Sequence, residues 1–483
     1  MNKTALAVAA LLAACNTTPP QQLPPPFGPE GAQPTRLFFP TGLASAPDGT
    51  LVVANGNFNH AFDCGTMVSI KRPFIDGIFN ALDPDTNQPQ ECDVPDPTAA
   101  LAASCKRPIR ESDFGGAVLI GNYSGPMALS ADGSVAYTGS RDSGRLNGVL
   151  VDPGGALHCA PGAGDGATKD CRAGVIDLTP SKVDGPYSIV PGTTILPGTT
   201  AAEAQNVFFV SSIIPHLDSI NSGVPFTSTS VAVLDRQNPA NLLFSMVAGS
   251  TFFADAGNAP GTMAFDGVRR RLYLMGCYQR STAGFGGGEP GTLLCGDIRV
   301  NLLRILNVDA KDNPGIPTEI DLHADVHSSF TVEVLLGDPD PATQAPMTLW
   351  ATMRLPDTLV RIELPLSPAV APRVRKVVPL PVSPAGMVRI ERPGAADLLA
   401  VVAEKANSVL IYDTGQDRVV AEVGRLGDSP YMIQQIPCPA GSAHAGNACL
   451  ATSVFGECRV AFIEVPLSQP EQSALRGLAG SCP

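Results

Sequence analysis

The stretch LLAVVAEKANSVLIYDTGQDRVVAEVGRLGDSPYMI, Leu398 to Ile433, decides the fold. It opens on an apolar run, passes a polar loop, and returns as a second apolar run ending in Asp413-Thr414. A turn and a third strand-like segment follow. Runs of Val, Ile, Leu and aromatics bounded by Gly, Asn, Asp or Pro read as β-strands. Runs apolar at every position, rather than at alternate ones, read as strands covered on both faces.

The paired runs recur along the chain. Leu51–Ala54 goes with Met67–Ile70, Val135–Thr138 with Gly148–Val151, and Val207–Val210 with Ser230–Leu234. Leu272–Met275 goes with Leu302–Val308, Leu349–Met353 with Leu359–Leu364, Leu399–Val402 with Val409–Tyr412, and Leu450–Ser453 with Val460–Val465. The strings NSVLIYDT, RVVAEVG and SPYMI resemble the YVTN-type (NHL/YVTN-like) β-propeller repeat, although the literal YVTN string is absent. That resemblance implies an all-β, seven-bladed propeller of four-stranded antiparallel blades over residues 36–483. Sheets with two apolar faces cannot stand alone, and radial stacking buries both faces. Each unit averages about 64 residues, above the roughly 40–50 of compact propeller repeats. The surplus falls in insertions at Pro73–Asp113, Leu157–Arg172, Ile213–Thr227 and Tyr278–Gly296. Asp48-Gly49, Asp132-Gly133 and Asp266-Gly267 read as turn residues between strands rather than catalytic acids. A strand formed by TRLFFP, residues 35–40, is expected to complete the last blade.

The first 14 residues have one Lys and an apolar run too short to span a bilayer, the build of an export signal. Leu12-Ala13-Ala14-Cys15 resembles the lipobox of bacterial lipoproteins. The resemblance implies a lipid on Cys15, with the membrane as a partner through that lipid. It places the chain in the cell envelope, anchored at the outer membrane because no Asp follows the cysteine. Residues 15–35 carry seven prolines and read as an extended tether.

The net charge of −13 leaves no basic stripe for nucleic acid. Twelve cysteines behind an export signal point to disulfides. Proximity suggests Cys277–Cys295, Cys438–Cys449, Cys159–Cys171 and Cys92–Cys105, each closing a loop. Cys64 and Cys458 sit in equivalent loops of the first and last blades, and a bridge between them would staple the ring.

No nucleophile elbow, HExxH, P-loop or dinucleotide fingerprint occurs, and no cofactor is named by the sequence. Two segments could hold Ca²⁺ or another divalent metal. In DLHADVH, a strand would put Asp321, His323, Asp325 and His327 on one face, a set suited to zinc. The preferred reading is an outer strand with a wet side and Leu322, Ala324 and Val326 inward. In DPDTNQPQECD, Asp83, Asp85, Asn87 and Glu91 have the spacing of a calcium loop, but also the composition of a polar turn. In a propeller, residues just after the first strand of each pair ring one mouth of the channel: Asn55, Arg141, Ser212, Cys277, Arg354, Lys405 and Phe455. Three are cationic, which suggests an anionic ligand, although salt bridges with Asp142, Asp357 and Glu404 explain them equally well. The expected function is therefore a lipid-anchored binding or scaffold protein for a protein, peptide or glycan. The alternative is a metal-dependent, lactonase-like hydrolase with its site in the channel.

Overall fold

In a computed structural model the protein is described over residues 23–27, 37–58, 62–164, 169–200, 203–212, 216–218, 226–250, 262–279, 299–309, 318–322, 325–326, 330–367, 369–381, 383–441 and 444–481. Seven antiparallel sheets follow one another along the chain, each built on four strands in simple succession. Their innermost strands are Pro40–Ser45, Ser124–Leu129, Pro186–Thr194, Met263–Asp266, Phe330–Pro339, Pro384–Ile390 and Pro430–Ile436. Each inner strand contacts the next, and the seventh contacts the first, so the ring is closed. All seven strand pairs expected from the sequence are present, for example Leu399 opposite Tyr412 and Leu450 opposite Ile463.

Burial shows why the apolar runs do not alternate. Each of seven apolar clusters lies between two consecutive blades. In the third blade Val207 and Phe209 pack toward the fourth, while Phe208 and Val210 pack toward the second. Burying a large apolar side chain gains roughly 1.5–3 kcal/mol, and here both faces of every blade contribute. All three Asp-Gly pairs form turns between strands, and two of them put the glycine at positive φ. Asp48 accepts the Thr50 N–H at 2.9 Å and Asp132 the Ser134 N–H at 3.1 Å, with Gly49 and Gly133 at φ +82° and +74°. At Asp266-Gly267 it is instead Arg270 that takes the left-handed position, at φ +55°.

Ring closure departs from expectation twice. The described residues 37–39 before Pro40 add no strand to the last blade, whose fourth strand, Ala474–Ala479, is its own. Leu37 and Phe38 are buried among Cys449, Val460 and Phe462, with the Phe38 N–H donating to Asn55, and the ladder begins only after Phe39, which turns the chain at φ +48°. Nor do Cys64 and Cys458 bridge. Cys458 is in a disulfide, whereas Cys64 is a free, buried thiol. Cys64 lies on the second-blade side of its sheet, close to Arg172 and Asp170, and so faces away from blade 7.

The clasp is the insertion in blade 1. Between Ile70 and Phe114 the chain forms the helices Arg72–Phe79 and Ala99–Cys105, then a two-residue strand, Lys106–Arg107. That strand pairs in parallel with Leu478 and Ala479, giving blade 7 a fifth strand. Cys92 N–H donates to Leu475 O at 2.7 Å, and Gln90 exchanges bonds with Arg476 at 2.9 and 2.8 Å. Beneath it lies a buried network. Glu464 accepts from Arg476 at 2.7 Å and Asn447 at 2.6 Å and meets His444 at 2.7 Å, while the other nitrogen of His444 meets Asn80 at 3.0 Å. The disulfides Cys92–Cys105, Cys159–Cys171 and Cys438–Cys449 form as expected. Cys295 lies outside the described residues.

Candidate functional site at the channel

The ends of the second strands and the starts of the next inner strands meet at one end of the ring. Six of the inner strands carry a register shift near their first residues. These bulges turn the second residue of the segment inward. In blades 3 and 7 that residue is tyrosine, and Tyr187 Oη meets Tyr431 Oη at 2.9 Å. Blades 3 and 7 stand on opposite sides of a seven-membered ring, so this bond crosses the channel. Burial pushes the Tyr187 phenol well above its ordinary value, helped by Tyr431 and Glu333.

Arg141 covers this bridge. Its guanidinium carbon lies 5.2 Å from the Tyr187 ring centre and 4.9 Å from that of Phe58, and its Nε–H donates to Tyr123 O at 2.9 Å. Phe58 packs edge-on against Tyr123 and Phe455, and Phe455 against Phe39. The outcome is a half-buried aromatic roof around a cation. Among the described residues Arg141 has no carboxylate partner.

The other rim candidates differ. Arg354 is held by Glu404 at 2.5 Å and donates to Pro384 O at 2.8 Å, tying blade 5 to blade 6. Lys405 is exposed in the short helix Glu404–Ala406. Asn55 is fully buried, accepts the Phe38 N–H and donates to Thr66, so it is part of the blade.

The two candidate metal segments are described in part. The strand carrying Asp321 ends there, and Asp325 and Val326 N–H turn back onto Leu322 O. Asp325 is exposed, while Leu322 and Val326 are buried. His323 and His327 lie outside the described residues. Asp83 accepts the N–H groups of Asp85 and Thr86, Asp85 accepts the Thr98 hydroxyl, and Asn87 occupies φ +55°, which is turn chemistry. Glu91 is exposed. Among the described residues no three His, Cys, Asp or Glu side chains converge as metal ligands.

Sequence reasoning missed Glu333, the third residue of the bulge in blade 5. By register its counterparts are Pro126, Ser188, Gly386 and Met432. It keeps part of its surface open because it borders the channel, yet it lies deep in the molecule. Desolvation pushes its carboxyl up to about 7, against one opposing bond from the Val334 N–H at 3.1 Å. An acid inside the apolar string FTVEVLL was the available signal. Beyond it, toward the opposite end of the ring, opens a chamber of about 1210 Å³. Val190, Phe265, Val334 and Leu336 form its apolar wall, and Asp338, Arg389 and Asp397 its outer edge.

No known family profile matches the sequence, and no curated protein matches it. Among solved structures the chain is similar to hydrazine synthase of Kuenenia stuttgartiensis at 13% identity, over 91% of this chain and 99% of that one, with a TM-score of 0.48. Sqt1 of Saccharomyces cerevisiae is similar at 10% identity, over 93% and 98%, with a TM-score of 0.43. Sqt1 of Chaetomium thermophilum is similar at 11% identity, over 90% and 86%, with a TM-score of 0.45. Likenesses this distant carry no inference about activity, and the seven-bladed propeller stands on the strand pairing itself.

Proposed function

We propose that the protein is an exported, lipid-anchored propeller that binds a protein, peptide or glycan partner through the roofed end of its channel. The observation that carries this is Arg141, a cation without a carboxylate partner among the described residues, set in half-buried Phe58, Tyr123 and Phe455. Aromatic rings around an arginine are the usual anchors of a binding surface. The guanidinium would take an acidic group of the partner. Cys15 would hold the domain at the membrane, with the proline-rich segment setting its distance.

The test joins address and site. Cys15→Ser should move the protein from the membrane to the soluble fraction. A photo-crosslinking residue at Phe58 should trap a partner in intact cells, and Arg141→Ala should abolish the trapped band. Unchanged crosslinking in Arg141→Ala would remove the reading. Calcium-dependent lactone hydrolysis by the purified protein, lost on chelation, would favour the hydrolase instead.

A further inference from the structure

At the seam where the blade 1 insertion meets blade 7 lies a cleft of about 750 Å³. Three segments far apart in the chain each bring a cation to it: Lys106 from the insertion, Arg425 from the loop between blades 6 and 7, and Arg459 from blade 7. All three rise from fixed backbone. Lys106 lies in the two-residue strand that pairs with Leu478, and Arg459 begins the strand Arg459–Pro466. The loop of Arg425 is tied to Asn407, whose backbone oxygen accepts the Leu426 N–H at 3.2 Å and whose side-chain oxygen accepts the Ser429 N–H at 3.3 Å. Arg425 itself occupies φ +59°, a conformation that costs any residue but glycine energy.

One carboxylate, Glu457, lines the cleft, and it is already engaged by Arg459 and by the Asp428 N–H at 3.2 Å. The Asp428 carboxylate meets the Ser429 hydroxyl at 3.3 Å and does not line the cleft. Lys106 and Arg425 are exposed and, among the described residues, have no acidic partner. Three lining cations against one carboxylate leave two positive charges uncompensated, on a chain whose net charge is −13. Like charges gathered in one concavity repel until an anion joins them. Guanidinium forks with a lysine beside them suit phosphate oxygens, and a phosphate monoester carries about −1.5 to −2 at neutral pH, which matches the excess. Pro97, Ala102 and Leu478 add apolar lining beside the Cys92–Cys105 disulfide. The volume falls among small-molecule sites, roughly 300–1,000 Å³, and so leaves room for more than the phosphate itself.

We propose that this cleft binds a small organic phosphate, its phosphoryl oxygens on Lys106, Arg425 and Arg459 and its organic body against Pro97, Ala102 and Leu478. The cleft stands apart from the aromatic roof, since neither Arg141 nor Phe58 lines it.

The probe is phenyl phosphate, titrated calorimetrically into the full chain at pH 8 and low salt. It should bind saturably. Phenyl sulfate, a monoanion of the same shape, and inorganic phosphate, which lacks the body, should each bind roughly tenfold more weakly. Lys106→Ala and Arg425→Ala, both at exposed positions, should each weaken phenyl phosphate binding about tenfold. Arg373→Ala removes the same charge from the blade 5 edge and should leave the affinity unchanged. The comparison of three anions on the wild-type chain tests the site even where a variant fails to fold. Equal affinity for phenyl sulfate, equal affinity for inorganic phosphate, unchanged affinity in Arg425→Ala, or an equal loss in Arg373→Ala would each overturn the proposal. Arg141→Ala should bind phenyl phosphate as the wild type does, so loss of the Arg141-dependent partner would leave this site intact.

Discussion

The hydroxyls of Tyr187 and Tyr431 meet at 2.9 Å although 244 residues separate them in the chain. Both follow a proline at the start of an inner strand, and the shared bulge aims both rings across the channel. The bond therefore measures ring closure directly. Tyr187→Phe and Tyr431→Phe should each cost about 1 kcal/mol, with a coupling of similar size in the double-mutant cycle, read by denaturant unfolding. Strictly additive effects would mean the two hydroxyls do not meet in solution.

Glu333 makes stability depend on pH. Its folded value, about 7, lies above the ordinary carboxyl value of 4.5. Between those values the unfolded chain has lost the proton while the folded chain retains it, so stability falls as pH rises through this window and levels off above it. Glu333→Gln should match wild type near pH 4.5 and exceed it by about 2 kcal/mol at pH 8. Parallel melting curves across that range would exclude a desolvated Glu333.

The network under the blade 1 insertion has the opposite sign. Glu464 is held below its ordinary value despite burial, because His444, Asn447 and Arg476 bond it. Its contribution is present above the ordinary carboxylate range and is lost as pH falls through its lowered value. Glu464→Gln leaves Arg476 buried without its counter-charge and should cost about 3 kcal/mol. Limited proteolysis should then cut first within residues 73–113.

Cysteine chemistry separates the observed closure from the expected one. Burial pushes the Cys64 thiol up to about 12, so it should resist alkylation in the native state and react only on unfolding. Cys64→Ala should cost about 1 kcal/mol, as for a small apolar group with limited cavity. Removing Cys92–Cys105 should cost about 2–4 kcal/mol and loosen the insertion. Rapid native labelling of Cys64 would contradict the structure.

What the sequence determined was the set of local units. Apolar runs such as LLAVVA and NVFFV carry their strand character in every residue, and their lack of alternation already requires cover on both faces. The turns at Asp48-Gly49 and Asp132-Gly133 and three of the disulfides were legible for the same reason, since their partners lie within a few residues or one loop. The tertiary structure decided what joins distant units. Gln90 meets Arg476, and Tyr187 meets Tyr431, only because a closed ring brings blades far apart in sequence together. Glu333 stands out in the sequence only as an acid in an apolar string, and it is the bulge that places it beside the channel. Local propensity acts between neighbours in the chain, whereas desolvation and long-range pairing depend on where the folded ring puts each group.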